Sequence, residues 1–84
     1  MTLDCESDLQ ACVQDVFRRC PMLAGFAIKP GEFELDDVTC YPQPPEDVAR
    51  AVREQICEAL GNLVNEQPEV ALLMTGRTFV RTFH

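Results

Sequence analysis

With 84 residues the chain has room for one domain, and 46% apolar residues are too many for a disordered segment. Its 14 acids against 7 bases leave a net charge of −7, which argues against non-specific nucleic-acid binding and disfavours anionic membranes. No apolar run approaches the ~20 residues of a membrane span, and the first ten residues carry Asp4, Glu6 and Asp8 without a base, unlike a signal peptide. The chain is therefore expected in the cytoplasm, with no membrane and no direct nucleic-acid contact.

A first helix is predicted from about Asp4 to Arg19. Leu9, Cys12, Val13, Val16, Phe17 and Cys20 follow the spacing of one buried stripe. Early acids and late arginines suit the two ends of the helix dipole, and Pro21 stops it. Cysteines stand at 5, 12, 20, 40 and 57, and no pair has C-x-x-C spacing. They are expected as free thiols, packed as small hydrophobes.

A hairpin should follow. Lys29-Pro30-Gly31-Glu32 reads as its turn, with Ile28 facing Phe33 and Phe26 facing Leu35. The apolar parity then changes from Leu35 to Val38 and Cys40, so a bulge is predicted near Asp36-Asp37. The proline-rich Tyr41–Pro45 connector leads into a second helix, from about Pro45 to Asn65, with Val48, Val52, Ile56, Leu60, Leu63 and Val64 inward. Glu46–Arg50 is a favourable pair along it, and Arg50–Glu54 is a weaker, reversed one. Gly61 either permits close packing on the sheet or is tolerated at a cost of roughly 1 kcal/mol.

Val70–Met74 is apolar throughout and reads as a strand covered on both faces. Thr75-Gly76 then turns the chain into a last strand, Arg77–Phe83. The order α-β-β-α-β-β predicts an α+β fold: a four-stranded antiparallel sheet with two helices packed on one face. Two helices leave the second face bare, although the third strand and Val80, Phe79 and Phe83 of the last offer apolar groups on both sides. A homodimer through the sheet face or an edge strand is the expected remedy for so small a core.

Two clusters are candidates for partner binding. Glu32, Glu34 and Asp36 alternate along one predicted strand, about 6.6–7 Å apart at a rise of ~3.3–3.4 Å per residue. With Asp37 they form an acidic edge that either stays solvated or mimics nucleic acid toward a protein with a basic surface. Arg77, Phe79, Arg81 and Phe83 share a face with the composition of an interface core. They either meet acids of a second copy or pair locally with Glu69 and its neighbours.

Catalytic groups are sparse. His84 is the only histidine and ends the chain, and Ser7 is the only serine. Cys40 or Cys57 would form a dyad with His84 only if folding joined them. The Cys57 thiolate is disfavoured by Glu54 and Glu58. Thr75-Gly76-Arg77-Thr78 is no phosphate loop. No catalytic residue, metal site or cofactor is expected. The sequence favours a non-catalytic protein-interaction module that self-associates through its sheet. An acidic inhibitor of a basic protein, or a small thiol-dependent or ligand-binding protein, are the alternatives.

Overall fold

The first apolar stripe winds into helix α1, Cys5–Arg19, in a computed structural model that describes residues 5–30 and 34–81. Leu9, Val13, Val16 and Phe17 are its buried side chains, and Glu6 and Asp8 open it while Arg18 and Arg19 close it. The proline connector leads into α2, Glu46–Glu66, which buries Ala49, Val52, Ile56 and Leu60. Along α2 the reversed pair forms: Arg50 Nε donates to Glu54 at 3.3 Å. Both helices lie within a residue or two of their predicted spans.

Gly61 has nothing within 4 Å of the place where a Cβ would sit. It is tolerated rather than required for packing. Gly61→Ala is expected to stabilise the fold by about 0.5–1 kcal/mol, read as a higher urea midpoint. A lower midpoint would show that the site is tighter than the geometry allows.

The predicted four-stranded sheet is not formed. Three antiparallel strands lie in the order β2-β1-β3, with β1 at Gly25–Ile28, β2 at Val38–Tyr41 and β3 at Thr78–Val80. Phe26 pairs with Cys40 and Ile28 with Val38, not with Leu35 and Phe33 as a tight turn would require. The observed register sets Val38 and Cys40, 2% and 3% exposed, beside Phe26 and Ile28 in the core. Phe33 lies outside the described residues. In place of a bulge at Asp36-Asp37 the chain makes a short 3-10 turn, Leu35–Asp37. Asp37 accepts the Glu34 amide at 3.1 Å and its own amide donates to the Glu34 carbonyl at 3.0 Å. Short acidic side chains that satisfy nearby amides favour such a turn over a strand ladder.

Val70–Met74 is a helix, α3, and not the third strand. Val70 and Met74 are both fully buried, four residues apart, while Leu72 between them is 84% exposed. That is the periodicity of a helix with one inward face. The amides of Val70, Ala71 and Leu72 donate to the carbonyls of Gln67, Pro68 and Glu69. Thr75-Gly76 does turn the chain, but from helix to strand. Gly76 sits at φ 75°, where a side chain would be strained, and its amide donates to the Ile28 carbonyl at 2.7 Å.

One core joins the three helices to one face of the sheet. Phe26, Ile28, Val38, Cys40 and Phe79 meet residues of α1, α2 and α3 there. Phe26 lies at its centre, with ring centroids 5.5 Å from Phe17 and 5.3 Å from Phe79. The fold is therefore α+β, with three helices and three strands among the described residues.

Candidate functional site

Among the described residues the acidic segment is not an extended row. Glu34, Asp36 and Asp37 curl around the 3-10 turn, with Glu34 and Asp37 bonded to each other's backbone, and Glu32 lies outside the described residues. The even spacing that would imitate a phosphate backbone needs an extended strand, which this segment lacks.

The Arg/Phe face of the last strand is turned inward. Phe79 is 4% exposed. Arg77 lies 5.1 Å over its ring and grips Glu6 with both terminal nitrogens, at 2.7 and 2.9 Å. The partner is Glu6 of α1, not Glu69. Arg81 lies 5.2 Å over the Phe17 ring. Its Nη2 donates to the carbonyls of Phe17 and Cys20, both at 2.7 Å, and its Nε to Leu23 at 2.9 Å. Phe83 and His84 lie outside the described residues. Arg77 and Arg81 therefore pin β3 to the two ends of α1, which runs parallel to it.

The Glu6–Arg77 pair carries a pH signature. Arg77, then Gln10, hold the Glu6 carboxyl down from 4.5 to about 2. Because the folded value lies below the unfolded one, the pair stabilises the fold above pH 4.5, and that stability is lost as the pH falls toward 2. Both side chains are partly exposed, so solvent screens the effect. Glu6→Gln is expected to be less stable than the parent at neutral pH, and the gap should close across that acid window. Urea midpoints taken through the window check this; a gap that does not change with pH would contradict it.

No described helix covers the opposite sheet face. Tyr41, Gly25 and Val80 stand in one cross-strand row and Thr39, Ala27 and Thr78 in the next. Tyr41 is 49% exposed and Val80 68%. A Cβ on Gly25 would meet the Phe79 carbonyl oxygen at 2.8 Å, so the centre of the first row stays flat between its two large neighbours. Met22, also exposed, lies in the loop that enters β1, beside Ala24 and Arg81. Neither Tyr41 nor Met22 carries a sequence signal that marks it as part of a surface. The sequence reading counts Leu72 and Leu73 toward the second sheet face, but they are exposed on a helix, not on the sheet.

The five cysteines are free thiols. Burial pushes the thiols of Cys12, Cys20, Cys40 and Cys57 up, so none of these four is poised as a thiolate. At Cys57 the next cause is Asp37, brought in by the fold, and not its helix neighbours Glu54 and Glu58. Cys5 donates to Gln67 Oε1 at 3.0 Å. Among the described residues no cluster of three His, Cys, Asp or Glu side chains is placed to hold a metal ion. No helix among them is long and apolar enough to cross a membrane.

An open groove of about 670 Å³ runs between the 3-10 turn and the start of α2, lined by Leu35, Asp36, Glu46, Asp47, Arg50 and Arg53. The Arg53 Nε is buried there without an acceptor among the described residues. The three carboxylates on its walls oppose an anionic ligand, and the Arg53 nitrogen is sealed from the groove itself. No family model, curated protein or solved structure matches this chain.

Proposed function

We propose that this chain is a non-catalytic protein-interaction module of the cytoplasm that associates with a second copy of itself through its sheet. The observation that carries this reading is the sheet face left uncovered among the described residues. All three helices pack on the other side, and Tyr41 and Val80 stand exposed across the flat Gly25. A core this small gains from being extended by a second copy. The raised thiols agree with packing rather than nucleophilic roles, and free cysteines suit a reducing compartment.

Sedimentation equilibrium of the wild-type chain from micromolar to millimolar concentration tests the reading. The expected result is a mass that rises with concentration from monomer toward dimer. A monomer mass throughout would overturn it.

A further inference from the structure

We draw no further inference here: the strongest candidate, the sheet face around Tyr41, Gly25 and Val80, belongs to the site already described, and nothing in the structure shows which surface of a partner would cover it.

Discussion

Phe26→Ala is expected to leave the protein largely unfolded at room temperature. The Phe26 side chain is fully buried, stacked obliquely between Phe17 of α1 and Phe79 of β3. It therefore ties the helix layer to two of the three strands. Cutting a buried phenylalanine back to alanine costs about 3–5 kcal/mol, from lost transfer energy and the cavity left behind. Domains of ordinary size hold about 5–15 kcal/mol in total, and one this small sits at the low end. Urea titration followed by circular dichroism should show no native baseline, or a midpoint cut by more than half. Phe26→Leu should retain a cooperative transition at a lower midpoint. A midpoint near wild type for the alanine variant would mean that another cluster holds the layers together.

Arg81 should be the most costly polar side chain to change. It is partly buried, lies over Phe17, and holds the end of α1 and the loop after it with three hydrogen bonds to carbonyls, of Phe17 in the last turn, Cys20 just past it and Leu23 in the loop. The Phe17 carbonyl is among those a helix end leaves without intrahelical donors. A guanidinium reaches several acceptors at once through its planar fork, and an ammonium does not. Arg81→Met should cost about 2–3 kcal/mol, on the scale of charged hydrogen bonds lost from a partly buried site. Arg81→Lys should recover only a minor part of it. Full recovery by lysine would show that positive charge at the helix end matters, and not the fork. The same loss should loosen β3, since Arg81 is one of its two anchors to α1.

The two long helices were legible because their apolar residues recur at helical spacing over four or more turns and end at prolines. Val70–Met74 was not. Five apolar residues in a row have no visible period, and a buried strand and a short helix look alike at that length. The signals favouring a helix were present in Pro68 near the first helical position and in the run of Ala, Leu and Met, all good helix formers. Reading the segment as a strand created a fourth strand that the chain does not have.

The change of parity after Leu35 was a real feature. It marks the place where the chain leaves extended geometry before Val38 and Cys40 turn inward. The device that does it is a 3-10 turn built on Glu34 and Asp37, and the hairpin register moves with it. For the candidate site, alternation placed Arg77, Phe79 and Arg81 on one face, and they do share one. Alternation cannot say which face is inner. That depends on Glu6 and the last carbonyls of α1, more than 50 residues away in sequence.

The account turns on the sheet face opposite the helices, where Tyr41 and Val80 stand exposed on either side of Gly25. The most direct measurement is an isotope-filtered NMR experiment on a mixture of labelled and unlabelled chains, at a concentration where the mass is that of a dimer. Contacts between copies that involve the Tyr41 ring protons or the Val80 methyl protons are the expected result. A dimer that shows contacts between copies elsewhere, and none to these two residues, would contradict it.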